Sequence, residues 1–415
     1  MIKHNNFKFS QSFGAEQENA PIQADDVISQ IEFSDDSRLL AVGDVGGRVI
    51  MFQRKDTVLP QFSAVCEFTA HYRQFDVSRS QEVSSEILSL KFLPPTHDGQ
   101  FLVTASERDV RLFKIAPHKH YKPNHNGSLL FPSIINQQLQ AVPKRLYQNA
   151  SNFHLNSLSV SAGGDSFLVA DDFSVTQFWV QDHLNGFLLI DNQMNSLDQK
   201  MNLITTARFH PQDSNLILAG YSTGQLRLYD LRANLKQTSV TVPGVGEIQD
   251  IQVNPPNLVF ARTAQYLSVY DIRNLHKPLF QNNMNPKLNF QQQHKQQSYS
   301  TVESYQPVIQ KQEHETKFNI AISKDQQFWA SGFYGNQIEV GNLNNDVLGW
   351  KATRILKKYK ADIPGNGVGA KLLVNKGQTQ LNAYGDQIQG KVEKVAFGDD
   401  VLVAASGGNL FLYGW

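Results

Sequence analysis

The sequence predicts an all-β fold, and three observations carry that prediction. Apolar and polar side chains alternate with a period of two from one end of the chain to the other. Short runs rich in Val, Ile, Leu and Phe are separated by turns of Gly, Asp, Asn and Ser. No long segment carries the 3.6-residue apolar period of an amphipathic helix. Residues 27–56 set the grammar. Ile28, Ile31 and Phe33 mark a first strand, and Ser34-Asp35-Asp36-Ser37 a polar turn. Leu39-Leu40-Ala41-Val42 reads as a buried second strand, Asp44-Val45-Gly46-Gly47 as a tight turn, and Val49-Ile50-Met51-Phe52 as a third strand. Glycine in that turn supplies the positive φ that other residues resist. This is three-quarters of a four-stranded antiparallel blade.

The same grammar returns over residues 87–115, 155–180, 203–232, 247–273, 318–343 and 391–415. Seven copies at irregular intervals fit a seven-bladed β-propeller better than a sandwich, and the 415 residues then form a single domain. The last copy stops after its third strand, while Phe7-Lys8-Phe9-Ser10 precedes the first copy. Pairing the two would seal the ring and remove an open edge. The irregular spacing marks insertions: an outer-strand excursion and protruding arm over 57–85, a Pro-, Asn- and His-rich surface loop over 116–142, and a Gln/Asn-rich loop over 281–316. A second biased stretch covers 375–390. Loops can grow this way because the blades supply the stability.

Composition narrows the function. Hydrophobic residues make up 40%, including 26 Phe, so a sizeable core is available. Lys+Arg and Asp+Glu are both 38, and a chain with no net charge is a poor non-specific nucleic-acid binder. The single Cys66 excludes a disulfide framework and a Cys-based metal site. The first residues lack the apolar core of a signal peptide, and no apolar run is long enough to span a bilayer. The expectation is a cytoplasmic protein, with the nucleus open, and the sequons at Asn126 and Asn149 read as chance matches. PGNGVGAKL (364–372) lacks the Gly-Lys-Ser/Thr end of a phosphate loop and reads as a connector. His118, His120 and His125 have no carboxylate beside them and read as a polar loop rather than a metal site. His210 reads as a turn residue. With no nucleophile paired to a base, the expectation is a binding scaffold, not an enzyme, without metal or cofactor.

Three constellations stand out. Asp171-Asp172 are adjacent carboxylates at a strand end, where the alternatives are an Asx-type turn and an acidic patch for a basic ligand. Phe153 and His154 stand just before a buried strand and should face opposite ways. Residues 69–88 form a polar stretch with isolated Phe75 and Val77, which reads as an arm leaving the body.

These residues resemble the B-type WD-repeat regulatory subunit of type 2A protein serine/threonine phosphatase. Residues 24–53 resemble that family's first blade, QFDVSRSQEVSSEILSLKFLP its hairpin arm, and QNASNFHLNSLSVSAGGDSFLVADDFSVTQFW its most specific signature. ARFHPQDSNLILAGYSTGQLRLYDLR, SGFYGNQIEV and ATRILKK follow in the expected order. The resemblance implies a non-catalytic subunit whose partners are the phosphatase scaffold and catalytic subunits and basic phosphorylated substrates. It implies a substrate or partner groove at Asp44, Phe153, His154, Asp171 and Asp172, and a scaffold-docking arm at Phe75, Asp76, Glu82 and Glu86. The chain departs from the family at Val45, where a lysine is usual, in the arm's reduced acidity, at Lys200, and across 275–317. The departures keep a second reading open, a propeller adaptor in a larger assembly without phosphatase.

Overall fold

In the computed structural model, the described residues are 8–14, 24–55, 60–76, 80–96, 99–122, 133–148, 150–151, 153–182, 185–192, 202–233, 236–241, 246–284, 317–333, 337–342, 359–360 and 391–414. They form seven four-stranded antiparallel sheets and one two-stranded hairpin. Blade 1 runs Ile28–Phe33, Leu39–Asp44, Arg48–Lys55 and Gln61–Thr69. Blades 2 to 6 begin with Ser89–Phe92, Leu155–Val160, Ile204–His210, Ile248–Asn254 and Ile320–Ile322, and blade 7 with Lys394–Phe397. Each first strand packs against the first strands of its two neighbours, so the seven close a ring around a central channel. The expected seven-bladed propeller is observed.

The ring is sealed as the sequence predicts. Lys8–Phe13 pairs antiparallel with Asn409–Gly414 and becomes the outer strand of blade 7. Phe13 stacks against Phe52 of blade 1 at 4.6 Å between ring centroids. Gln11 exchanges two hydrogen bonds with the backbone of Phe62, at 3.0 and 2.9 Å. Asp400 of blade 7 accepts two bonds from Arg54 of blade 1, at 2.5 and 2.6 Å. The seam is therefore held by ladder, aromatic and charge contacts together.

The core lies between blades rather than inside them. At the blade 7–blade 1 boundary, Leu40, Val42, Val401, Val403, Leu410 and Leu412 form one buried cluster. Each such side chain contributes on the order of 1.5–3 kcal/mol by leaving water. Polar side chains on or just before the first strands stitch neighbouring blades. Ser29 donates to the carbonyl of Ile87 at 2.7 Å, Thr205 to that of Ile248 at 2.6 Å, and Asn319 to that of Val395 at 2.8 Å. Their small hydroxyls and amides satisfy backbone groups that a purely apolar channel wall would leave unpaired.

Two expected insertions are corrected. Residues 116–142 are no loose loop where they are described: Val110–Lys122 and Ser133–Tyr147 pair to Lys122↔Ser133 as a long two-stranded ribbon. The second strand of blade 2 stops at Gln100, so the ribbon continues beyond the sheet's inner half. Within 57–85, Gln61–Thr69 is blade 1's own fourth strand, and the arm is reduced to the hairpin Gln74–Asp76 with Gln81–Val83. Residues 285–316, 364–372, 375–390, Lys200 and His125 lie outside the described residues. Among the described residues, no helix is long and apolar enough to cross a membrane, and no His/Cys/Asp/Glu group is placed to hold a metal.

Candidate functional site at the channel mouth

One end of the channel gathers three of the residues singled out from the sequence, Glu86, His154 and Asp172. The first strand of each blade starts there, and the turn between second and third strands returns there, because Ile28 pairs with Asp44 in blade 1 and Leu155 with Asp171 in blade 3. The channel has a volume of about 960 Å³, and all seven blades line it.

Blade 3 builds the most elaborate rim. Asp171 ends the second strand and is only 2% exposed. Its carboxylate accepts from the backbone N–H of Phe173 at 2.9 Å, from that of Ser174 at 2.6 Å, and from the Ser151 hydroxyl at 3.2 Å. This is the Asx-type turn, so Asp171 holds the rim and does not present a free carboxylate. Asp172, next in sequence, turns into the channel mouth and accepts from the side-chain amide of Asn156 at 2.8 Å. Phe153 is 37% exposed and meets Phe173 edge-on at 4.7 Å. His154 is exposed and lines the mouth, with its ring one position on from Phe153. Phe153, His154 and Asp172 are thus brought together.

Asp44 does not join them. It is 4% exposed and ends the second strand of blade 1. It accepts from the backbone N–H and the Nε of Arg48, both at 2.8 Å. Burial raises its carboxyl above the usual range, opposed by those Arg48 bonds. Its expected place in a surface groove is corrected to a turn-closing role, for the same reason as Asp171: a carboxylate at that register satisfies turn donors.

The arm is also redrawn. Phe75 is 61% exposed on the hairpin, beside the equally exposed Tyr72. Asp76 and Glu82 sit on the hairpin at register positions Asp76↔Gln81 and Phe75↔Glu82; their side chains lie outside the described residues. Glu86 is not part of the arm. The chain has re-entered the body by then, since Ile87 is fully buried and its N–H donates to the Asp44 carbonyl at 3.1 Å, and Glu86 lines the channel mouth.

Several mouth residues escaped the sequence reading. Lys317, just before the first strand of blade 6, donates from Nζ to Asn156 Oδ1 at 2.5 Å. Lys394 of blade 7 donates to the Lys317 carbonyl at 3.2 Å. Burial holds both ammonium groups below the ordinary lysine range. Glu247, Asp172 and Asp250 pull Lys317 back up, and Asp250 and Glu393 do the same for Lys394. Deeper in, buried Asp250 pairs with Arg208 at 3.1 Å and accepts from the N–H of Ile320 at 2.9 Å. The available signal was positional: these residues occupy the start or first strand of successive copies, a register visible only once the copies are aligned to one another.

By fold this is a closed propeller presenting a polar, charge-lined mouth. No family model matches the chain. It is similar to the "Serine/threonine-protein phosphatase 2A regulatory subunit sur-6" of Caenorhabditis elegans, 31% identical over 251 residues, which is 55% of this chain and 50% of that protein. It is also similar to a type B regulatory subunit of protein phosphatase PP2A from Candida tropicalis, 30% identical over 249 residues, 55% of this chain and 49% of that one. The chain spans about half the length of the curated relatives it matches. The resemblance to a divergent B-type regulatory subunit, read first from the blade-1 and blade-3 signatures, is borne out by these two relatives.

Proposed function

We propose that this chain is a non-catalytic regulatory subunit that binds a type 2A phosphatase core and brings basic phosphorylated proteins to it at the channel mouth. The carrying observation is the convergence of Phe153, His154 and Asp172 on one rim, with Glu86 and Glu247 lining the same mouth. A carboxylate-lined concavity concentrates Lys/Arg-rich ligands and speeds their encounter. Exposed Phe75 on the hairpin and exposed Tyr72 just before it offer an apolar anchor for the core, of the aromatic kind that dominates interfaces. Affinity purification of the full chain from its own cells should recover a phosphatase scaffold and catalytic subunit. Their reproducible absence would overturn the reading.

The adaptor reading draws on a different observation: burial of Asp44 and Asp171 removes two of the carboxylates expected on the surface. The double variant Phe153→Ala with Asp172→Asn separates the two. A substrate-recruiting subunit keeps the core and loses basic clients, whereas an adaptor with other contact surfaces keeps all its partners.

A further inference from the structure

Blades 3 and 6 stand as far apart as two blades of a seven-membered ring can, yet the Lys317 side chain bonds to Asn156. The lysine therefore crosses the mouth of the channel. Its ammonium meets a neutral amide oxygen, and that same amide donates to Asp172 at 2.8 Å and to the Ile204 carbonyl at 2.9 Å. No carboxylate lies within ion-pairing distance of Lys317 Nζ among the described residues, although Asp172, Glu247 and Asp250 act on it through space. We propose that Lys317 is a built-in competitor that occupies the cation position of the mouth, and that an incoming Lys or Arg side chain of a basic partner must displace it. This rests on the regulatory-subunit reading above, and adds to it a residue that sets how readily the mouth accepts cations.

The physics favours displacement. A largely buried ammonium whose hydrogen bond goes to a neutral amide has given up its water, and burial disfavours its charge more than the carboxylates around it favour it. A ligand guanidinium is flatter and more weakly hydrated, and its five spread donors can engage the Asn156 oxygen and the neighbouring Asp172 carboxylate together, as one ammonium does not. Lys317, swung out to solvent, recovers its hydration. Its backbone stays fixed, because Lys394 holds the carbonyl and the next residue, Phe318, is fully buried.

The test is calorimetric titration of the full-length chain with a synthetic Arg/Lys-rich peptide at low and at physiological salt. Lys317→Met should bind the peptide roughly three- to tenfold more tightly than the parent, as expected for removing one nearby positive charge, and the gain should shrink with salt. Lys317→Arg should behave like the parent, and Lys394→Met should gain less because that side chain does not reach Asn156. Lys317→Gln serves if the methionine variant loses its fold by circular dichroism. Equal affinity of Lys317→Met and parent, an equal gain in Lys394→Met, or no binding by any variant would each overturn the proposal. Recovery of the phosphatase core is a separate measurement, so failure here leaves the regulatory reading to stand or fall on its own.

Discussion

Blade 1 closes the turn between its second and third strands with Asp44, Gly47 and Arg48, whereas blade 3 closes the equivalent turn through Asp171 alone. In blade 1 the carboxylate is tied to a guanidinium four residues on, and Gly47 takes a φ of +87°. In blade 3 the carboxylate caps two backbone N–H groups and a serine hydroxyl, and the turn contains no glycine. The consequence lies one residue further along. Blade 1 carries Val45 there, and blade 3 carries Asp172, which faces the channel mouth. A turn closed by a single side chain leaves its neighbour available for recognition.

That contrast can be broken at its strongest point first. A Cβ on Gly47 would lie 2.3 Å from the His71 carbonyl oxygen and 2.8 Å from that of Ser85. Neither is a flexible side-chain end. Gly47→Ala should therefore destabilise the chain by about 4 kcal/mol or more, combining a forbidden φ with a backbone clash. Equilibrium denaturation would register it. Asp171→Ala comes next: three donors lose a buried acceptor, a loss of about 3 kcal/mol. If Asp171→Ala proved as mild as a surface change, the capping account of the blade 3 turn would be wrong.

A third prediction concerns acid. His71 packs beside the blade 1 turn, bonded to the Thr104 hydroxyl at 2.9 Å, and burial lowers its pKa to about 3, with Arg111 adding to the effect. A base whose folded pKa is depressed is protonated first in the unfolded chain, so stability falls as pH drops from about 6.5 toward 3. Between pH 7 and pH 5 the loss should be about 2 kcal/mol, and His71→Gln should flatten it. Blade 3 braces its turn with the Ser151 hydroxyl instead of an imidazole. Smallest in stability is Asp172→Asn, expected within about 0.5 kcal/mol of the parent because the partly exposed group keeps its Asn156 bond. Its effect should appear instead as weaker binding of a basic peptide, with thermal unfolding unchanged.

Much of this was legible beforehand. The period-two pattern, the seven copies and the seam between Lys8–Phe13 and the last copy follow from local alternation and from the need to cover an open edge. The rim role of Phe153 and His154 was legible only through the family resemblance; strand alternation predicts opposite faces, whereas both side chains are exposed. What local pattern could not reveal was direction. Asp171 and Asp172 look alike in sequence, yet one faces turn amides and the other the channel. Glu86 reads as part of a polar arm until buried Ile87 shows that the chain has already returned to the body. The Lys317–Asn156 contact joins residues 161 positions apart, and no spacing rule connects them. The ribbon of blade 2 was hidden for a related reason: Pro, Asn and His signal irregularity, but a long partner strand supplied the ladder.

The seam has a kinetic side. Every other blade is knitted from neighbouring stretches of chain, whose short connections cost little to close. The latch of blade 7 joins stretches about 400 residues apart, at an entropic cost of roughly 5 kcal/mol for an otherwise unstructured chain. That cost falls steeply once the intervening blades have formed and brought the two stretches within reach. Assembly should therefore run from the middle outward, and completion of this last sheet registers that the rest of the circle is already in place.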